Sequence, residues 1–466
     1  MRKIVFTAVA AAMCWSGVAN AQGATDRGRA VDGPGAVRAG AAAAAPAPMP
    51  LTLADAVREA AATAPAVEVA GYRVLGAEAR AHETRADLLP SLSLSAAYFN
   101  RSATLASTGF TFPPGLPFSF PNLIGPYDNV DGRIHVTQSI VDLADWAHLR
   151  ADNLQVAGSD ADRGAAVQGA ARTAALAYLR AVRAAALLSA READEETATE
   201  LLSLAEAQLQ AGVSPPLDVT RARTQLVAAH GATLVARNQR QKADIDLALA
   251  LGEDPSTTFA LADTLTGDLG GSSAPPDTAA ALALALERRP DLASEVATGE
   301  RARAEGRSIA SELLPRVDFA ADYGANGKTV GSTLNTRDIA LVVSVPVLDG
   351  FRREARSDEQ HAALQESHVR ESDLRRQIAA QVRAALLDLG SGIELHAVAA
   401  QRLSLAVEEL DEARERFASG VAGNIDVINA QSTLNLARDA EIDSRFITAS
   451  ARVGLAYAAG VAETVH

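Results

Sequence analysis

The feature that most constrains this chain is a pattern written twice. Leu88-Leu89-Pro90-Ser91-Leu92-Ser93-Leu94-Ser95-Ala96-Ala97-Tyr98 and Leu313-Leu314-Pro315-Arg316-Val317-Asp318-Phe319-Ala320-Ala321-Asp322-Tyr323 share one layout: helical residues, a proline, then alternation ending on tyrosine. Pro90 and Pro315 lie 225 positions apart, as do Tyr98 and Tyr323 and, upstream, Pro65 and Pro290. Asp142 matches Asp349 at an offset of 207, and Gly212-Val213 with Asp218-Val219 matches Gly420-Val421 with Asp426-Val427 at 208. The drop from 225 to 207 places one 18-residue insertion in the first copy, between Tyr98 and Asp142. A repeat this long makes each copy a supersecondary assembly that closes only against its partner. The copies span residues 51–265 and 277–462, joined by a linker at 266–276 and followed by a tail at 463–466.

The first residues read as an export signal over 1–21: Arg2 and Lys3, an apolar run from Ile4 to Val18, then Ala19-Asn20-Ala21. Cys14, the one cysteine, lies inside it after Met13, a poor lipidation context, so neither a disulfide nor a lipid anchor is expected. Residues 22–50 form an Ala/Pro-rich arm. The formal net charge is -14, and an acidic chain argues against a nucleic-acid partner. Beyond the signal no run of about 18 apolar residues is evident, which excludes ordinary membrane helices. A β-barrel stays open, because its alternating strands escape hydropathy scans.

Thr52 or Asp55 can cap a helix through Ala64, and a second helix starts at Pro65 and stops at Pro90. Strands are expected at about 90–101, 130–141, 315–326 and 337–347, in two hairpins. Their apolar faces carry Leu92, Leu94, Tyr98, Val317, Phe319, Tyr323, Leu341 and Val343, opposite Ser91, Ser93, Ser95, Arg316, Asp318 and Asp322. These apolar residues are the expected lipid-facing set. Tyr98 and Tyr323, placed at one register, would sit in an interfacial girdle. A soluble sheet roofed by a helix shows the same alternation.

Long helices are expected over about 143–211 and 350–419, which lack proline, and return helices over 217–251 and 425–459. About 69 residues at 1.5 Å each span roughly 100 Å, far beyond a bilayer. Charges such as Arg191-Glu192 and Asp194-Glu195-Glu196 put these surfaces in water, with a narrow stripe buried as in coiled coils. Four strands cannot close a barrel, so lipid-facing strands require oligomers: eight strands in a dimer, twelve in a trimer. Eight leave room only for side chains.

Signal, helix pair, hairpin, long helix, glycine turn and return helix, given twice, resemble the TolC-like outer-membrane efflux family. The residues carrying the resemblance are Leu88-Leu89-Pro90-Ser91-Leu92, Leu313-Leu314-Pro315, Val343-Ser344-Val345-Pro346-Val347-Leu348-Asp349-Gly350 and the two tip turns. It implies a mainly α chain with a transmembrane barrel portion: a homotrimer, a twelve-stranded barrel in outer-membrane lipid and a helical tunnel across the periplasm. It also implies docking to a periplasmic adaptor, a membrane fusion protein that couples to an inner-membrane pump. The exported cargo would serve tripartite efflux or type I secretion. A periplasmic coiled-coil scaffold without a pore is the rival in another class.

No catalytic, cofactor or metal constellation is apparent. Gly-x-Ser-x-Gly, Ser-x-x-Lys and His-Glu-x-x-His are missing, and His361 and His368 are too far apart for a helical metal clamp. Gly267 to Asp277 is glycine-rich, but no Gly-Lys-Ser/Thr follows. Asp218 and Asp426, just past the tip turns, are the candidate gate carboxylates; six per trimer would favour cations. Each could instead cap its return helix. The resemblance implies gate bonds to an arginine and a tyrosine, where this chain has Ala422 and Phe417, leaving Arg414 or Arg416 as substitutes. Gly212, Val213, Ser214, Gly420 and Val421 are the candidate adaptor contact, or plain left-handed helix ends. Phe110, Phe112, Phe118 and Phe120 among prolines suggest a stiff loop over 109–126 or a lid over the barrel mouth.

Overall fold

The computed structural model describes residues 49–104, 123–265, 269–419, 421 and 423–466. The export signal, most of the arm, nearly all of the phenylalanine-rich loop, Gly420 and Ala422 lie outside these. The first half runs β1 (Met49–Leu51), α1 (Leu53–Thr63), α2 (Pro65–Ala86), β2 (Ser91–Thr104), β3 (Leu123–Val141), α3 (Leu143–Gln210) and α4 (Pro216–Leu251). The second runs β4 (Phe259–Leu261), α5 (Thr278–Arg288), α6 (Pro290–Ser311), β5 (Arg316–Gly327), β6 (Leu334–Ser344), α7 (Arg352–Ala418) and α8 (Asn424–Ala458). Helix lengths are 11, 22, 68 and 36 residues in the first half and 11, 22, 67 and 35 in the second.

Local chemistry sets these boundaries. Thr52 is the N-cap of α1, its hydroxyl accepting the Asp55 N–H at 3.1 Å, while Asp55 sits one turn in. Pro65 and Pro290 occupy first helical positions. Asp142 caps α3 by accepting the Ala144 and Asp145 N–H groups. Asp349 plays a different part, gripping the Arg353 side chain at 2.9 Å while Phe351, at φ 65°, stands before α7.

β2, β3, β5 and β6 form one antiparallel sheet in that order, so the return strand of the first hairpin pairs with the outgoing strand of the second. β3 starts at Leu123, earlier than expected from sequence, because it continues to pair with β2 past an irregularity after Arg101. β6 stops at Ser344, short of 347, since Pro346 has no N–H to give a ladder. Gly324 is required where strands crowd: a Cβ there would meet the Gly132 carbonyl oxygen at 2.3 Å.

The main core lies where α1, the middle of α3, the end of α4 and the end of α8 meet. It is built of alanines such as Ala171, Ala174, Ala175 and Ala181, with Tyr178, Leu179, Leu247 and Val453 filling the larger spaces. α3 does contain one 18-residue window of mean hydropathy 1.2, correcting the expectation that none exists. Alanine scores as apolar, and 44% of that window is buried inside the chain. The small parallel β1–β4 pair was not foreseen; Tyr178 anchors it by sharing its hydroxyl proton between the Leu51 carbonyl (2.8 Å) and Asp263 (2.9 Å). Asp263 also accepts the Leu53 N–H at 2.8 Å. The expected linker and tail meet each other: Gly270 N–H donates to His466 O, His466 N–H to Gly271 O, and Val465 is buried.

Candidate functional site

Two regions bear on function: the sheet and the helix tips. In the sheet, Leu92 pairs with Val136, Leu94 with Ile134, Ile134 with Tyr323, Phe319 with Leu341, and Val317 with Val343. All lie on one face. Leu92 is 73% exposed, Leu94 68%, Tyr98 64%, Leu341 66% and Val343 62%, with Tyr323 also exposed and Val317 and Phe319 half-buried. No helix of the described chain roofs this face. The opposite face is polar: His135 pairs with Asp322, Ser95 Oγ lies 2.9 Å from His135 Nε2, and Arg133 meets Asp131 at 2.7 Å. Tyr98 and Tyr323 are not at one register, correcting that expectation. Tyr323 faces Ile134, which faces Leu94, so it stands four residues before Tyr98 along the ladder. The outer edges of β2 and β6 pair with no described strand.

At the far end, α3 and α7 turn into α4 and α8. Gly212, at φ +75°, ends α3: its N–H donates to Leu209 O and that of Val213 to Gln208 O, a Schellman closure that only a residue without Cβ adopts freely. Val421 N–H donates to Arg416 O in the matching bond at the other tip. Val213 and Val421 project into solvent.

The two aspartates are not equivalent. Asp218 is 8% exposed; it accepts the Ser214 hydroxyl at 2.9 Å, lies 3.6 Å from Arg221, and its backbone carbonyl accepts the side-chain N–H of fully buried Asn424 at 3.2 Å. Asp426 is exposed. Neither is an N-cap: Pro215 and Gly423 hold those positions, and both carboxylates sit in the first turn, where the helix dipole favours them. Phe417 is buried in the tip core with Leu201, Leu410 and Val427. Arg414 and Arg416 are exposed, and neither forms an ion pair among the described residues.

Higher in the helices a cluster joins α3 to α8. Asp194 meets Arg191 and Arg438, each at 2.9 Å, Arg191 also pairs with Asp439, and Arg183 meets Asp443 at 2.7 Å. Burial pushes the Asp194 carboxyl up, against the pull of both arginines. Sequence reading put Arg191 and Asp194 on a solvated face; the structure buries Asp194. The signal was weak, since a charge run on one helix does not reveal which charges a distant helix covers.

A chain with helices of about 100 Å and a sheet that exposes an apolar face is built as a membrane protein with a long helical part standing in water. The family model described as outer membrane efflux protein matches residues 56–253 and 281–461. Protein CyaE of Bordetella pertussis is 27% identical over 399 residues, covering 84% of this chain and 80% of that one. The pyoverdine export outer membrane protein OpmQ of Pseudomonas putida is 23% identical, covering 61% and 60%. Among solved structures, the Campylobacter jejuni CmeC outer membrane channel superposes with a TM-score of 0.73 at 16% identity, covering 88% of this chain and 86% of that one. VceC from Vibrio cholerae gives 0.71 at 19%, covering 88% and 96%. The chain belongs to the outer membrane efflux protein family. It is an outer-membrane exit duct, in a family of trimeric channels with large periplasmic parts that work with adaptors and inner-membrane pumps.

Proposed function

We propose that three copies join β2 of one to β6 of the next, closing twelve strands into a barrel whose polar face lines a pore and whose Leu92, Leu94, Tyr98, Val317, Phe319, Tyr323, Leu341 and Val343 face lipid. One observation carries this: among the described residues the four-stranded sheet has two open edges and an unroofed apolar face, and neither survives in water. Export by the N-terminal signal without lipidation delivers the chain to the outer membrane, and the long helices continue the pore through the periplasm. The tips, with Gly212, Val213, Ser214, Gly420 and Val421, dock a periplasmic adaptor that connects to an inner-membrane pump. The duct itself carries no catalytic step.

At the tips the aspartates divide the work. Exposed Asp426 sets the field at the constriction, whereas Asp218 ties the turn through Ser214 and Arg221 and meets the other hairpin through Asn424. Planar-bilayer recording tests this. Asp426→Asn should lower the preference for potassium over chloride at unchanged conductance, and Asp218→Asn should raise basal conductance. Selectivity unaltered by Asp426→Asn removes the gate assignment.

A further inference from the structure

α7 carries an apolar stripe that none of the described residues covers. Val369, Leu387 and Leu405 recur every 18 residues, five helical turns, and Val398 falls on the same line. All four are well exposed, Leu387 at 74%. α4 carries a second uncovered stripe in Val227, Leu234 and Ile245. From Leu387 the steps to Val398 and Leu405 are 11 and 7 residues; from Ile245 the steps back to Leu234 and Val227 are again 11 and 7. Two antiparallel helices with these spacings bring each residue of one stripe opposite one residue of the other.

The chain supplies its own template for that contact. Buried positions in α3 recur 208 residues on in α7: Ser159 and Ser367, Ala170 and Ile378, Ala174 and Val382, Ala177 and Ala385, Ala198 and Ala406. By the same offset Leu179 corresponds to Leu387, and Val453 of α8 to Ile245 of α4. Leu179 and Val453 are fully buried in one core, where α8 lies along α3. Their counterparts are exposed, Leu387 at 74% and Ile245 at 43%, with no described helix packed over them. The sheet edges point the same way: α2 leads into β2, α7 leads out of β6, and neither strand has a described partner on its outer side.

We propose that a second copy of this chain covers the stripe, Leu387, Val398 and Leu405 of one copy seating against Ile245, Leu234 and Val227 of the next. This rests on the ring reading above. The seam differs in kind from the one inside each chain. Arg183–Asp443, Arg191–Asp439 and Asp194–Arg438 hold α3 to α8; the corresponding positions are Ser391 with Val235, Ala399 with Gly231, and Arg402 with His230. None is an acid–base pair. The tunnel wall therefore alternates ionic seams within copies and apolar seams between them.

Paired cysteines test it, since Cys14 is the only native one. Leu387→Cys with Ile245→Cys, oxidised in the detergent-purified protein, should move most of the material to twice and three times the single-chain mass on a non-reducing gel. Leu387→Cys with Val227→Cys, out of register, should stay at the single-chain mass. A faster-migrating internally linked chain, or equal linking in both variants, overturns the seam. Light scattering on the same unoxidised sample separates the two readings: a trimer that does not link sinks the seam alone, and a monomer sinks the ring.

Discussion

Asp194 shows what a single residue contributes to the contact between α3 and α8. Burial raises its carboxyl above the ordinary 3.8, with Arg191 and Arg438 opposing. The native state thus holds this proton more tightly than the unfolded chain does, so the stability it contributes is complete below the unfolded value and is lost as pH rises through the higher native one. Asp194→Asn removes the titration. The melting temperature of the native protein, relative to the variant, should be most favourable below about pH 4 and decline toward neutrality; thermal circular dichroism reads it, and a difference that grows with pH contradicts the assignment. Tyr178 makes a second test. Burial and the bond to Asp263 push its hydroxyl up, so it remains a donor. Tyr178→Phe leaves the Leu51 carbonyl and Asp263 each short of a partner, a loss of about 1–3 kcal/mol that a denaturant melt measures. Neither residue was legible beforehand. Asp194 looks like its charged neighbours, and Tyr178 finds Asp263 across 85 residues with no periodicity to announce it.

Elements were far easier to read than their neighbours. The absence of proline over residues 143–211 and 350–419, with glycine just past each end, leaves little choice but long helices, and strict alternation after Pro90 and Pro315 leaves little but strands. Propensity and period act locally, so they mark where an element lies without saying what packs on it. The pairing of β3 with β5, the Tyr98 offset and the three-residue β1–β4 bridge all depend on distant partners. Helix contacts can still be tested one element at a time. A Cβ on Gly392 of α7 would meet Cα and Oγ1 of Thr448 in α8 at 3.2 Å each. Gly392→Leu must push the helices apart, at a cost of about 1–3 kcal/mol, whereas Gly169→Ala, with nothing within 4 Å, should stabilise α3 by about 0.5–1 kcal/mol. Equal melting temperatures for the two variants would mean that the α7–α8 contact is looser than described.

For the whole molecule, ionic contacts within each chain and the proposed apolar seam between copies predict two responses to salt. Raising ionic strength from 0.1 to 1 M shortens the screening length from about 10 to 3 Å. Arg183 and Asp443, each more than a third exposed, feel this fully, while the node around Asp194, only 5% exposed in its side chain, is shielded from it. Apolar seams do not weaken in salt, because burial of their side chains involves no charge. High salt should therefore loosen each chain along α3–α8 before it separates one chain from another. Conductance, divided by that of the bulk solution, should rise with salt while the protein stays trimeric. Arg183→Gln combined with Asp443→Asn should bring the raised value to low salt and flatten the dependence. If subunits part in high salt before conductance changes, the ionic contacts lie between copies, and the pairing of stripes on α7 and α4 has been assigned to the wrong seam.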